Sequence, residues 1–406
     1  MNKQESGNNQ LIEKGYHKTM YACFTGYIVQ AVVNNFVPLL FLTFQSSYGI
    51  SLSKITMLVT FNFGLQLLVD LLSVYFIDKI GSRVAAVIAH VCAGTGLILL
   101  TILPDLFDNH FTGLLIAVMI YAVGGGLLEV LVSPIVEACP TDNKEKAMSL
   151  LHSFYCWGHV GVVLISTIFF AVAGIDSWKI LACIWAVIPL LNAVAFLKVP
   201  IAPLIEEDEK GMSLRDLAVN KLFWVMMLLM VCAGASEQSV SQWASTFAEK
   251  GLGVTKTVGD LAGPMLFAIL MGSARVWYGK YGEKVNLNHF MLGSSTLCVV
   301  SYLLISLSAS PVLGLIGCGL CGLSVGIMWP GTFSIAAAGI KGGGMAMFAL
   351  FALAGDLGCA GGPSMVGAVS NAFDGNLKMG MLMAVIFPIL LAGGILVNMR
   401  MSKKTE

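Results

Sequence analysis

Charge is what this sequence has least of. Of its 406 residues only 11% are Asp, Glu, Lys or Arg, while 57% are hydrophobic; an ordinary soluble domain carries about 25% charged residues. A chain so composed has too little polar surface to cover a fold in water. In lipid the shortage disappears, because the outside must be apolar. Net charge is absent too, with 23 basic residues against 23 acidic ones. No basic stripe of the kind nucleic acid requires is present, so no nucleic-acid partner is expected. No Gly-x4-Gly-Lys-Ser/Thr phosphate cradle occurs, which argues against ATP as the direct energy source. No nucleophile motif and no metal-ligand spacing is supported, so neither an enzyme, a cofactor nor a metal site is expected. The pair Cys318-Gly-Leu-Cys321 lies in an unbroken apolar stretch with no second ligand pair, and cysteine there packs as a small hydrophobe. A cleavable leader is not expected: a polar segment with Lys3, Lys14 and Lys18 precedes a long apolar run that starts near Thr19.

What the sequence has is long apolar runs. Crossing the hydrocarbon core takes about 20 mostly apolar residues in a helix, and backbone groups must pair internally there. Runs of this kind occur at 19–44, 54–77, 84–103, 112–138, 146–172, 177–198, 221–247, 257–278, 288–308, 312–339, 345–370 and 377–399. They predict an all-α integral membrane protein with about twelve transmembrane helices, numbered here as spans 1 to 12. If the N-terminus is cytoplasmic, only Lys54, Lys179, Lys250, Lys256 and Lys378 of the 23 basic residues fall on the far side. That asymmetry follows the positive-inside rule and predicts both termini inside; the compact loops and the lack of a signal sequence point to a bacterial plasma (inner) membrane. The longest connection, 199–220, holds Pro200, Pro203 and the acidic run Glu206-Glu207-Asp208-Glu209. It reads as a cytoplasmic linker between an N-terminal half, 1–198, and a C-terminal half, 221–406. Within it Ser213-Leu-Arg-Asp216 has the form of a cap for a short surface helix.

The halves repeat one another. Asp78-Lys-Ile-Gly-Ser-Arg83 follows span 2, and Gly279-Lys-Tyr-Gly-Glu-Lys284 follows span 8, half a chain away. Gly124-Gly-Gly precedes Pro134 in span 4, as Gly322 and Gly326 precede Pro330 in span 10; spans 5 and 11 both open with Ala-Met, at Ala147-Met148 and Ala346-Met347. Several matches at a near-constant offset predict two six-helix pseudo-symmetric halves, a plan in which transporters hold solute at mid-depth. In the turn after span 2, Gly81 supplies backbone freedom. Asp78 can latch a neighbouring helix through a basic partner, with Arg83 and Arg275 as further members of a cytoplasmic gate. The alternative is that the basic residues of the turn only obey the positive-inside rule.

These residues resemble the major facilitator superfamily, whose loop signature between its second and third helices is similar to Asp78-Lys-Ile-Gly-Ser-Arg83; Val74 stands where that signature has a glycine. Within the superfamily the chain resembles the fucose–proton symporter family of sugar permeases. The resemblance rests on Val33-Asn34-Asn35, on Leu128-Glu129 followed by Pro134, on Met148-Ser-Leu-Leu-His152-Ser-Phe154 running to Trp157-Gly158, and on Met328-Trp-Pro330-Gly-Thr-Phe-Ser334. It implies the major facilitator fold, a sugar or sugar-like solute, and proton coupling through Glu129. Pro38 stands where that family has an aspartate, and His152 where it has a glutamine that touches sugar.

Ionisable groups inside a membrane cost at least about 2.5–3.5 kcal/mol, so function is the default reading for them. Glu129, beside Gly124–Gly126, can load a proton on one side and release it on the other; the alternative is a neutral acid bonded to another helix. Asp356 in span 11 is a second proton candidate, or else a partner of Arg275. Span 7 places Glu237, Gln238, Ser241, Gln242 and Ser245 on one face with Trp243 adjacent. Amides, hydroxyls and an indole suit a sugar, which offers hydroxyls and an apolar C–H face. Gln30, Asn34 and Asn35 in span 1 read as solute contacts or as interhelical glue, and Pro38 can kink that helix. Asn62, Gln66 and Asp70 form a polar stripe along span 2; Asn62 and Gln66 read as solute contacts, and Asp70 either lines the cavity or pairs within the bundle. His152 and Tyr155 in span 5, with His159 on the same side, either serve the solute or pack. Trp329 beside Pro330 marks a broken helix suited to binding.

The expected protein is therefore a monomeric secondary transporter that imports a sugar-like solute together with a proton. Sodium-coupled uptake is one alternative, and a drug or metabolite exporter on the same fold another. An exporter of apolar cations wants an aromatic cavity with few hydrogen-bonding groups, which the amide-rich faces of spans 1, 2 and 7 oppose.

Overall fold

A computed structural model describes residues 15–140, 144–202, 212, 214–282, 285–340 and 344–402. The side chains of 74–76, 78, 144–146, 149, 214, 279, 280, 344–346, 348 and 402 lie outside that description. So do several features read from the sequence: Lys3, Lys14, the acidic run Glu206–Glu209, Ser213, Lys284 and the Asp78 side chain.

Among the described residues no strand occurs, and twelve helices are long and apolar enough to cross a membrane. In chain order they are Tyr16–Tyr48, Leu52–Ser73, Ser82–Leu106, His110–Ala138, Leu150–Ala173 and Ile175–Lys198. Then come Lys221–Gly251, Lys256–Tyr278, Leu287–Leu307, Pro311–Gly339, Ala349–Ala372 and Leu377–Met401. Each falls on the corresponding sequence span to within a few residues. Their outer faces carry apolar side chains open to the surroundings, such as Val172 at 84% and Leu191 and Leu307 at 66% exposure. Such surface is unfavourable in water and at home in hydrocarbon. This is a multi-pass membrane protein.

Several spans are interrupted. In span 1 the α-helix Tyr16–Asn35 passes through a 3-10 turn, Val37–Leu40, into Phe41–Tyr48; Pro38, which lacks an N–H, stands at the start of that turn. Span 10 breaks between Pro311–Val325 and Met328–Gly339. Span 7 ends in a π-turn, Phe247–Gly251, and span 8 has another at Leu261–Met265, around Pro264. In the linker a helix forms at Leu214–Val219, and the Asn220 side chain then caps span 7 by accepting from the Leu222 N–H at 2.9 Å.

The chain divides into two compact units, Met1–Ile50 with Gly64–Glu207, and Ser51–Phe63 with Asp208–Glu406. One change from the first to the second falls between Glu207 and Asp208. The start of span 2 groups with the second unit: the Thr60 and Ser364 hydroxyls are 2.6 Å apart, and Gly367 gives room to Thr56.

The first unit is knit by a buried polar relay. His90 in span 3 donates from Nδ1 to the Ala86 carbonyl at 2.7 Å, since a carbonyl only accepts, and its Nε2 accepts from Asn192 Nδ2 of span 6 at 2.8 Å. The same amide donates to the Ala22 carbonyl of span 1 at 2.9 Å. In the second unit Tyr302 of span 9 donates to the Ser236 carbonyl of span 7 at 2.8 Å. The repeat shows in the packing as well. A Cβ on Gly126 would lie 3.0 Å from the Gln66 backbone, and one on Gly322 would lie 2.1 Å from the Phe267 carbonyl oxygen. In each half the fourth helix thus lies against the second through glycine.

Candidate functional site

The first unit gathers the polar residues of spans 1, 2 and 4 into one network. Gln30 Nε2 donates to Gln66 Oε1 and to Glu129 Oε2, both at 3.2 Å. Gln66 Nε2 donates in turn to Asn34 Oδ1 at 2.9 Å. Gln30 and Asn34 stand one turn apart on span 1, so both reach the same neighbours. Gly126 lets span 4 approach Gln66, and Glu129 is half-buried one turn further on. The network puts a carboxylate among amides, groups that can donate to its ionised form or accept from its protonated form. Asn35 is buried, and its amide donates to the Ala31 carbonyl of its own helix at 2.9 Å. Asp70 is half-buried on span 2, one turn beyond Gln66.

An aromatic patch lies nearby on spans 1 and 5. The Tyr27 ring is 5.3 Å from the exposed His152 ring and 6.5 Å from that of Tyr155. The Tyr27 hydroxyl is 3.0 Å from Ser133 Oγ of span 4. Tyr27 was not singled out in the sequence, although it precedes Gln30 by three residues and so shares its face. His159 is buried at 2% exposure.

The second unit holds a different chemistry. On span 7, Gln242 Nε2 donates to Gln238 Oε1 at 3.2 Å, and Gln238 Nε2 lies 3.4 Å from Glu237 Oε1. The other oxygen of Glu237 meets Arg275 Nη2 of span 8 at 3.2 Å. Arg275 Nε also donates to the Gly326 carbonyl at 3.2 Å, at the break in span 10. The residue read as part of a cytoplasmic gate is therefore ion-paired to the polar face of span 7. Trp243 is fully buried, and its indole N–H donates to the Pro363 carbonyl at 2.9 Å. That ring packs against span 11 instead of facing outward. Trp329 is half-buried and lies over Gly355, where a Cβ would come 2.1 Å from the indole. Asp356 is the next residue along, at 9% exposure. Asn62 is buried at 5% in the part of span 2 that groups with this unit.

At the turn after span 2, Gly81 has φ 83 and ψ 146, a conformation essentially closed to other residues. Arg83 Nη1 donates to the Phe196 carbonyl near the end of span 6 at 2.7 Å, a favourable place for a cation beside a helix C-terminus.

Comparison with known proteins agrees with this architecture. The family profile described as Major Facilitator Superfamily matches residues 22–363. The fold is similar to that of the E. coli fucose:proton symporter, with 16% identity and a TM-score of 0.65 over 94% of this chain and 98% of that one. It is similar to a D-xylose-proton symporter, with 14% identity and a TM-score of 0.72 over 92% and 97%. A bacterial homologue of the human lysosomal transporter Spinster, inward-facing and occupied, gives 13% identity and a TM-score of 0.72 over 94% and 96%. No curated protein matches in sequence. With twelve spans in two repeated halves and a family match over most of its length, the chain belongs to the Major Facilitator Superfamily.

Proposed function

We propose that this protein imports a sugar or sugar-like polar solute by alternating access, driven by protons, across a bacterial plasma membrane with both termini cytoplasmic. The observation that carries the reading is the Gln30–Glu129 hydrogen bond within the Gln66–Asn34 network. A carboxyl that accepts from Gln30, which is itself linked through Gln66 to Asn34, can exchange a proton and, through those amides, sense a hydroxylated solute. Glu129 is the proton carrier in this reading, with Asp356 as a second candidate. Gln30, Asn34 and Gln66 hydrogen-bond the solute, and Tyr27, His152 and Tyr155 bound it on the first unit. Taken by itself, the second unit presents the Gln238 and Gln242 amides and the Trp329 indole, groups that suit sugar hydroxyls and C–H faces. The fucose and xylose symporters of like fold support a sugar and a proton without fixing either.

Uptake of a radiolabelled sugar panel into proteoliposomes, with and without an inward proton gradient, tests this. The wild type accumulates one of the sugars only with the gradient. Glu129→Gln loses accumulation and keeps counterflow exchange. Efflux of hydrophobic dyes with no sugar transport under any gradient would overturn the reading.

A further inference from the structure

The amide network around Glu129 would serve a neutral sugar, but a half-buried guanidinium is not needed for one. An ion pair drawn out of water often contributes no more stability than apolar residues of similar size, so the pair of buried Glu237 with half-buried Arg275 calls for a use. We infer that the solute carries a carboxylate and that Arg275 is its anchor: the carboxylate takes the place of Glu237 on the guanidinium, and Glu237 takes up a proton. This rests on the transport reading above and narrows its substrate class to acidic sugars.

Three features of the second unit lead there. The pair is reachable, with the Arg275 and Glu237 side chains 22% and 11% exposed. A second pair in the same unit, Lys256 with Asp260 at 3.1 Å, has its carboxylate sealed at 0%, as a purely structural bridge would be. Next, the guanidinium is held independently of Glu237. Its Nε donates to the Gly326 carbonyl at 3.2 Å, so the plane stays fixed when the carboxylate partner changes. A planar fork of donors so fixed matches a carboxylate in a way that a lysine does not. Third, Glu237 is held by long contacts, 3.2 Å to Arg275 and 3.4 Å to Gln238. Gln238 and Gln242, one turn apart on span 7, stand beside the anchor to meet sugar hydroxyls.

The charges balance. Before exchange the pair is one anion and one cation. Afterwards Glu237 is neutral through its added proton, and Arg275 faces the solute carboxylate. Each carboxylate bound at this pair thus brings one proton. Among the described residues, the helices beside span 7 also carry Tyr302 of span 9, bonded to the Ser236 carbonyl, Cys321 of span 10, whose thiol also reaches that carbonyl, the buried Cys298 and Cys318, Asp356 and Cys359 of span 11, Asp260 of span 8, bonded to Ser245 and Lys256, and Arg400 near the end of span 12. Span 12 brings Lys378, which donates to the Ser308 carbonyl at 2.8 Å.

Binding of radiolabelled D-glucuronate, D-galacturonate, D-gluconate and N-acetylneuraminate to the purified full-length protein tests the inference, with D-glucose and D-galactose as neutral comparisons. In the wild type one of the acids binds, and binds more tightly as pH falls from neutral to mildly acidic. Glu237→Gln frees the anchor, so it binds that acid at both pH values without the pH dependence. The charge-neutral double variant Glu237→Gln with Arg275→Gln loses roughly a hundredfold in affinity for it. If the double variant fails to fold, the flat pH profile of Glu237→Gln decides by itself. Neutral sugars binding while the acids do not would overturn the anchor and leave the transport reading standing. Binding of neither class would overturn both. An acid whose binding is unchanged in the double variant would place the carboxylate elsewhere and overturn the anchor.

Discussion

Asn192 shows how much one side chain can hold in this fold. Its amide serves the His90 ring and the Ala22 carbonyl together, tying span 6 to spans 3 and 1. Asn192→Leu keeps the volume and strands both partners inside the first unit. The expected cost is about 1–3 kcal/mol, read as a lower melting temperature in detergent. An unchanged melting temperature would mean that water replaces the amide. Residues of this kind were partly legible in the sequence. Polar groups are few in an apolar span, so Gln30, Asn34, Gln66 and Glu129 stood out, and the structure brings them into one network. The partner of Arg275 was not legible. Asp356 was as good a candidate as any acid within reach, and the choice of Glu237 depends on how spans 7 and 8 lie side by side. The burial of Trp243 was hidden for the same reason: a polar face does not reveal which of its neighbours another helix will cover.

At the scale of elements, interruptions matter more than helices. The interruption at Pro38 could be read locally, because proline removes a donor, whereas the break of span 10, expected beside Trp329-Pro330, falls at Gly326-Ile327 and leaves Pro330 in the first turn of the next helix, where its missing N–H costs nothing. The π-turn Phe247–Gly251 has no proline to announce it, and its register comes from packing. Two substitutions test the elements. Gly81→Ala forces a Cβ into a positive-φ position with ψ 146, at a cost of about 1–3 kcal/mol. Nothing lies within 4 Å of that Cβ, so the strain should appear as lost thermal stability without any packing defect. Gly355→Ala places a methyl against the Trp329 indole and must displace the ring. Solute affinity should fall while the Gln30–Glu129 network stays intact, and fluorescence should report a tryptophan in a changed environment. Unchanged affinity would remove Trp329 from the site.

On the scale of the whole molecule, the twelve spans were legible to within about four residues at their ends, because hydrocarbon thickness and backbone pairing leave a chain this apolar few choices. The proposed orientation rests on the distribution of basic residues and can be checked directly. An epitope inserted after Asn109, between spans 3 and 4, should be reached by antibody on spheroplasts, and one at the C-terminus only after the plasma membrane is permeabilised. The reverse pattern would invert the topology. What a span count could not supply is the substrate, since the fold is shared by carriers of different solutes and the site rests on a handful of side chains. The central claim is that solute and proton move together through Glu129. It is tested most directly by adding a transported sugar to de-energised proteoliposomes and recording external pH. The account predicts alkalinisation that follows sugar entry in the wild type and vanishes in Glu129→Gln while labelled-sugar exchange persists. Sugar entry with no proton movement in the wild type would contradict it.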